Sequence, residues 1–582
     1  VAFFNFRIIV FTIRALTNGV NNFLKRERAM KVREFLLATT IISTAALSQK
    51  TFAILTPASV PNLSIYVSGS STMDGQFRKL VTNLCDPVSP TNSDKLIYLT
   101  TGNEIPDSWQ QAFMCRMSPP SSGGKVPGLS SSMIVAVYKR SEGGSGFGVG
   151  PVASAKPIDF LNKFTCSATA TGSVVENAIS HQIFGNCGTA RVASDAGISD
   201  VEPSMFRGPN LIDPSIPENS DINAGDLGTV ILQVADINKL VINSMNVTTY
   251  GIPVTLNLYR ALQAVQGKDT SRDDVANMPT LSREQVASLM AGSLSGDWAN
   301  LTVNSGGTNV SLTSHSAVVA GNWQTHNLDK IEICRPSSGS GAQAQYSALF
   351  HKSPCSSGGV QPLNDNTEFS GRMKDASSEE DFSNPVWFNI GRIIGYDGVL
   401  PTAPAVHESQ SAGDVADCLD RLQDNGVWGL GIQSLERGSD KWRFIKLNGV
   451  APTLENVAKN NYFDWAVGTM QWRTVAAGGP ASGSPKLAVL AAIKNQASQP
   501  PILAAINSGF NSRIKLADGT TNAPVGILAL RSSSVSPTAP FGISNPVMTA
   551  VREKGGNSDS CGIAKMIAKS GQKTELDINI AD

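Results

Sequence analysis

Four times along the chain an apolar run of strand length breaks off into a short loop of serine, glycine and charged residues. Ile65-Tyr66-Val67 leads into Ser68-Gly69-Ser70-Ser71-Thr72. After that loop Phe77, Leu80, Val81 and Leu84 recur at i, i+3, i+4 and i+7, one face of an amphipathic helix. Met133–Tyr138 leads into Lys139-Arg140-Ser141-Glu142-Gly143-Gly144-Ser145-Gly146, and Val192-Ala193 into Ser194-Asp195. Ile331-Glu332-Ile333 leads into Arg335-Pro336-Ser337-Ser338-Gly339-Ser340-Gly341 and then a helical stretch, Ala342–Phe350. Repeated units of this kind predict an α/β protein with mainly parallel sheets.

A chain of 582 residues exceeds one ordinary core, so two or three domains are expected. The stretches 86–132, 152–190 and 200–225 read as loop-rich insertions. Apolar strands are expected at Val230–Val234, Leu240–Ile242 and Val427–Leu435. Ser282 and Gln285 form a capping box ahead of a helix that ends at Gly292, and Leu281 with Val286 forms a hydrophobic staple. Trp442–Asn456 reads as a hairpin edge followed by a helix start. Further helices are expected at Leu487–Lys494 and Ile502–Ile506.

Residues 35–47 are apolar, follow Met30-Lys31-Val32-Arg33, and are too short to span a membrane. With Thr51-Phe52-Ala53 they read as a secretory signal over 30–53, and 1–29 as an over-extended start. Formal net charge is zero; without 1–53, 39 basic and 45 acidic residues remain, near −6. That balance gives no electrostatic footprint for nucleic acid or anionic lipid. All eight cysteines follow the signal: 85, 115, 166, 187, 334, 355, 418 and 561. An even number behind an export signal favours disulfides and a periplasmic or extracellular location. Nearest-neighbour pairing would give 85–115, 166–187, 334–355 and 418–561, although spacing alone does not fix connectivity. No CxxC or Cys/His spacing for zinc is present, and no cofactor motif is seen.

Ligands of open α/β sheets bind beyond the carboxyl ends of the strands. Small residues there let backbone N–H groups approach an anion, and Ser and Thr hydroxyls add donors. Arg335 offers a charge-assisted bidentate pair. The loops therefore suit a tetrahedral oxyanion. The candidate ligand-binding residues are Ser70, Ser71, Thr72, Ser145, Gly146, Asp195, Arg335, Ser338, Gly339, Ser340 and Gly341.

In order along the chain, these segments resemble the substrate receptors of bacterial ABC phosphate uptake, which have the type II periplasmic-binding-protein fold. Ser68-Gly69-Ser70-Ser71-Thr72 resembles that family's first phosphate loop. Gly143-Gly144-Ser145-Gly146-Phe147-Gly148 resembles its second loop, and Ala193-Ser194-Asp195-Ala196 its Gly-Ala-Ser-Asp signature. Leu281–Trp298 resembles the helix before the second lobe's binding strand. Arg335–Ala342 is similar to the Arg-x-Asp-Gly-Ser-Gly-Thr loop, with Ser338 for Asp, Ala342 for Thr and one residue inserted. Ala451-Pro452-Thr453-Leu454-Glu455-Asn456 resembles a late Pro-Thr-x-Glu-Asn segment.

The resemblance implies two lobes around a hinged cleft: lobe I from 54–238 and an extended 470–582, lobe II from 239–469. It further implies phosphate as ligand, Asp195 accepting a ligand proton, and an ABC permease as partner. An extracellular structural or adhesive protein with a degenerate cleft is the alternative. No GxSxG, HExxH or GKS/GKT motif is present, and His181, His315, His326, His351 and His407 stand in no recognisable Ser/His/Asp arrangement, so no enzymatic activity is expected.

Overall fold

The computed structural model describes residues 55–86, 95–100, 110–176, 179–207, 210, 234–294, 297–325, 331–360, 404–409, 412–530, 541–554 and 557–566. The signal segment 1–53, residues 230–233 of an expected strand, and nearly all of 208–225 lie outside them.

The first part of the chain forms β1 (Leu63–Ser68), α1 (Asp74–Asn83), β2 (Leu96–Leu99), β3 (Gln110–Met117), β4 (Met133–Arg140), α2 (Gly144–Phe147), β5 (Gly172–Glu176), β6 (Ile179–Phe184) and β7 (Ala196–Ser199). The middle part forms β8 (Leu240–Gly251), β9 (Pro253–Thr255), α3 (Arg283–Met290), β10 (Glu332–Pro336), α4 (Gly341–His351), β11 (Ala405–Ser409), α5 (Ala412–Asp424), β12 (Gly429–Gly431), β13 (Gln433–Ser434) and β14 (Trp442–Phe444). It is followed by β15 (Trp465–Arg473), α6 (Pro485–Gln496), α7 (Pro500–Asn507) and β16 (Ile527–Ala529).

Two sheets organise the chain. The larger has 11 strands in the order β13-β8-β15-β7-β1-β4-β3-β2-β6-β5, with β16 also on β8. The smaller has five in the order β11-β10-β12-β9-β14. The α/β expectation holds, but the sheets are mixed. Parallel pairing is concentrated where the Ser/Gly loops depart: β1 pairs with β4 and β7, and β10 with β11 and β12. Much of the antiparallel remainder comes from stretches read as loop-rich insertions. Leu96–Leu99 and Gln110–Met117 are strands, and the Cys85–Cys115 disulfide ties the second of them to the end of α1. The stretch 152–190 likewise holds β5 and β6, with Cys166–Cys187 beside them.

Two main cores flank the sheets, and β8, β15 and β16 contribute to both. On one face of the larger sheet Phe77 and Leu80 of α1 pack with Val489, Leu490 and Ile493 of α6 and Leu503 and Ile506 of α7. Around the smaller sheet Val286 and Leu289 of α3, Leu419 and Leu422 of α5, Trp298, Trp428 and Trp442 form the second core. Ile514, Ala523, Val525, Met548 and Ala550 join that second core, so the C-terminal part is shared between the two. The chain passes between the sheets at Ile252, between β8 and β9, at Ile432, between β12 and β13, and again on either side of β14. The expected strand Val427–Leu435 is therefore cut in two, its halves serving different sheets.

Local signals hold where side chains carry them. Ser282 caps α3: its hydroxyl accepts from Gln285 N–H and the Gln285 side chain accepts from Ser282 N–H. Gly292 follows at φ +71°. Val234 opens a helical turn, Val234–Ile237, where a strand end was expected. The nearest-neighbour cysteine pairing fails for the second half of the chain. Cys334 on β10 pairs with Cys418 on α5, the helix packed against that strand, and Cys355 pairs with Cys561. Proximity across a packed helix and strand wins over proximity in sequence.

Candidate functional site

Three of the Ser/Gly loops meet at the carboxyl ends of β1, β4, β7 and β10. The first turns sharply, with Gly69 at φ +99° and Ser70 at φ +28°. A Cβ at Gly69 would stand 2.2 Å from the Ile198 carbonyl, so only glycine fits. Ser70 has a Cβ in a conformation that disfavours it, and the surroundings hold it there. Buried Lys139, from β4, donates to the carbonyls of Gly69 and Ser70 and to Ser141 Oγ, and pairs with Asp74 Oδ1 at 2.9 Å. Ser141 donates to the other Asp74 oxygen at 2.5 Å. Burial pushes the Asp74 carboxyl up, and Lys139 pulls it back.

The acid at the centre is Asp200, one residue beyond β7. It is buried; Ser70 Oγ donates to its Oδ1 at 2.5 Å and Ser145 Oγ to its Oδ2 at 3.1 Å. Its own N–H donates to Ser145 Oγ at 3.1 Å. Burial raises its pKa, opposed by the hydrogen bonds from Ser70 and Ser145, the charge of Lys139 and a hydrogen bond with Thr72. One carboxylate thus gathers hydroxyls of the first and second loops.

The third loop closes on the same group. Gly146 N–H donates to the Gly339 carbonyl at 2.8 Å. A Cβ on Gly341, the first residue of α4, would lie 2.6 Å from both Asp200 Cβ and Ser145 Oγ. Gly339 has φ +85°, and Ser338 and Ser340 are half-buried in the turn. Ser71 is also half-buried, and its carbonyl accepts from Asp74 N–H. Arg335, at the end of β10, forms an ion pair with Glu408 of β11, its direct register partner, and both are buried.

Asp195 lies elsewhere. It occupies the break between strand Thr189–Ala193 and β7, where Tyr66 N–H donates to its Oδ2 at 3.0 Å and Lys486 pairs with its Oδ1 at 2.6 Å. That is one strand length upstream of the loops, about 16 Å at five residues. The physical reason is strand pairing: Ala196–Ser199 joins β1, whereas Thr189–Ala193 pairs with Pro157–Leu161. The signal that finds Asp200 is a second Ser-Asp step, Ser199-Asp200, directly after the apolar Ala196-Gly197-Ile198. Glu408 and Lys139 carried no sequence signal of comparable kind. Among the described residues no group of three or more His, Cys, Asp or Glu is placed to hold a metal ion.

Glu436 follows β13 and interacts electrostatically with both Asp200 and Asp74; its Oε1 is buried and unpartnered. Burial pushes its carboxyl up to about 8, with Arg437 opposing and the two aspartates reinforcing the rise. A raised folded-state pKa means that the folded chain keeps a proton which the unfolded chain releases above its ordinary carboxyl pKa. This contribution to stability is complete below about pH 4.5 and is lost as pH climbs through about 8. Glu436→Gln is expected to match the wild type near pH 5 and exceed it near pH 8.5 by about 2 kcal/mol, allowing for partial exposure. Urea midpoints at the two pH values measure the difference, and a gap independent of pH would contradict the assignment.

No protein-family model matches the chain, and no curated protein matches it. Among solved structures, similarity extends to one from Clostridium perfringens assigned as a phosphate ABC transporter substrate-binding protein with bound phosphate. There the identity is 10%, 76% of this chain and 97% of that one are covered, and the TM-score is 0.34. An ABC-type phosphate transport receptor from Vibrio cholerae matches at 12% identity over 51% of this chain and 74% of that one, TM-score 0.25. PstS from Borrelia burgdorferi matches at 10% identity over 71% and 87%, TM-score 0.27. With TM-scores below 0.5, these likenesses decide neither family nor ligand.

Proposed function

We propose that this chain is a non-enzymatic solute receptor that binds phosphate or a related tetrahedral oxyanion among the loops Ser70–Thr72, Ser145–Gly146 and Gly339–Gly341. The observation that carries the reading is Asp200: a buried carboxylate bonded by Ser70 and Ser145 from two loops and faced by Gly341 from the third. An anion entering there takes over the Ser hydroxyls as donors, with backbone N–H groups of the loops beside them. Asp200 then keeps Thr72 and turns the acceptor sites freed by the two serines to the ligand. A carboxylate against an anion is tolerable only when the anion brings a proton to share, so the site selects protonated phosphate and rejects fully ionised sulfate.

Arg335, paired with Glu408, anchors the strand end from which the third loop departs, and Lys139 fixes the first loop from below. A permease partner in an ABC-type uptake system, and a periplasmic or extracellular location, complete the proposal. Four disulfides fit an oxidising compartment. No helix among the described residues is long and apolar enough to cross a membrane.

Calorimetric titration of the purified chain tests the reading. Phosphate is expected to bind with micromolar Kd, about −8 kcal/mol, and sulfate at least 100-fold more weakly. Asp200→Asn is expected to weaken phosphate about 10–100-fold and to narrow the phosphate–sulfate gap, because the amide can donate to an unprotonated oxygen. Absence of binding by any tetrahedral oxyanion would remove the receptor reading and leave an extracellular structural role.

A further inference from the structure

The C-terminal hairpin, residues 549–554 and 557–566, packs on the second core through Ala550 and lies against β8. It folds on itself by two short antiparallel ladders, 550–551 with 565–566 and 553–554 with 557–558. Thr549 donates to the Ala458 carbonyl at 2.5 Å. Arg552 donates to the carbonyls of Trp465 and Phe463 at 2.5 and 2.7 Å. Ser558 Oγ lies 2.7 Å from Ser244 Oγ on β8.

Its last turn spans two elements of the candidate site, helix α4 and the loop that follows β7. Cys561 is disulfide-bonded to Cys355, four residues beyond the end of α4, the helix whose first residue is Gly341. The adjacent Ser560 gives both donors, N–H at 2.8 Å and Oγ at 2.7 Å, to the buried carboxylate of Glu202, two residues beyond Asp200. Cys561 Sγ also lies 3.8 Å from Met205 Sδ. Between these anchors Ala342, Ala344 and Ala348 of α4 pack with Val149, Val152, Val201, Met205 and Phe206 in one apolar cluster.

We propose that this hairpin is a latch between α4 and the Asp200 loop: Cys355–Cys561 fixes it covalently to the α4 side, and Glu202 grips Ser560 from the Asp200 side. Separation of α4 from the Asp200 loop must break the two Glu202–Ser560 hydrogen bonds and expose the alanine face of α4. The disulfide matters because it holds Ser560, its chain neighbour, in register with Glu202. The latch does not depend on what the cleft binds, so its test needs no ligand.

Backbone hydrogen–deuterium exchange of the full chain tests it in two variants, Ser560→Ala and Cys355→Ser/Cys561→Ser. Exchange at 201–206 and 341–351 is expected to quicken about tenfold or more in both variants, with β1 and β4 unchanged. Unchanged rates at those two segments in Ser560→Ala would overturn the latch. So would a uniform rise over the whole chain, which would mean general loss of stability. Ser560→Ala keeps the disulfide, so it decides the matter even if the double variant does not fold.

Discussion

Gly341→Val is expected to weaken phosphate binding by more than 100-fold, a loss above about 2.7 kcal/mol. At that position even a single Cβ would lie 2.6 Å from both Asp200 Cβ and Ser145 Oγ. Neither neighbour can yield cheaply. Asp200 is held by hydroxyls of two loops, and Ser145 both donates to Asp200 and accepts from its N–H. Valine adds two further methyl groups, so α4 must retreat, and the third loop withdraws from the other two. Its backbone angles are ordinary, as Gly341 is not among the residues at positive φ, so the effect is one of space. Calorimetry on the variant, with circular dichroism as a control for folding, reads it. Retention of wild-type affinity would show that the third loop does not meet the other two around the ligand.

Arg552→Met is expected to cost about 3–5 kcal/mol of stability, seen as a lower urea midpoint at unchanged slope. The guanidinium is buried, donates to the carbonyls of Phe463 and Trp465, and stacks 4.1 Å from the Trp465 ring centroid. Beside it Asp464 is buried, and desolvation pushes its carboxyl up to about 7 even with Arg552 and Arg283 near. Methionine fills the volume but leaves the two carbonyls without this donor and Asp464 without its main counter-charge. The sign with pH follows. Without Arg552 the carboxyl rises further, so the folded variant keeps its proton where the wild type releases it and loses stability relative to wild type as pH climbs past about 7. A deficit that shrank with rising pH would contradict this account.

The strand–loop–helix units were legible because their signals are local. Apolar runs, small residues at the strand ends and the Ser282–Gln285 box each act within a few positions, and β1, β4, β10, α3 and α4 lie where those signals put them. Asp200 was not so read. Two Ser-Asp steps stand five residues apart, and only the pairing of Ala196–Ser199 with β1 decides which carboxylate reaches the loops. The partners of Glu408 and Lys139 were invisible for a related reason. Each acts on a residue distant in sequence, through a strand register that no single-segment pattern encodes. The cysteines teach the same thing. Cys85–Cys115 and Cys166–Cys187 join neighbours, but Cys334 finds Cys418 because α5 lies on β10. The antiparallel strands at 96–117 were hidden by the Ser- and Pro-rich stretches on either side.

The paired strands β8 and β15 carry a mechanical consequence. They lie inside the larger sheet, bonded to each other over most of their length, and β8 is held again by β16 and β13. Any bending there is spread over a ladder of hydrogen bonds, as in a leaf spring, and is not concentrated at a free swivel. The irregular register between Ser244 and Val247 is the soft spot of that spring. Hydrogen–deuterium exchange of β8 and β15 is therefore expected to be slow, with its fastest amides at Ser244–Val247.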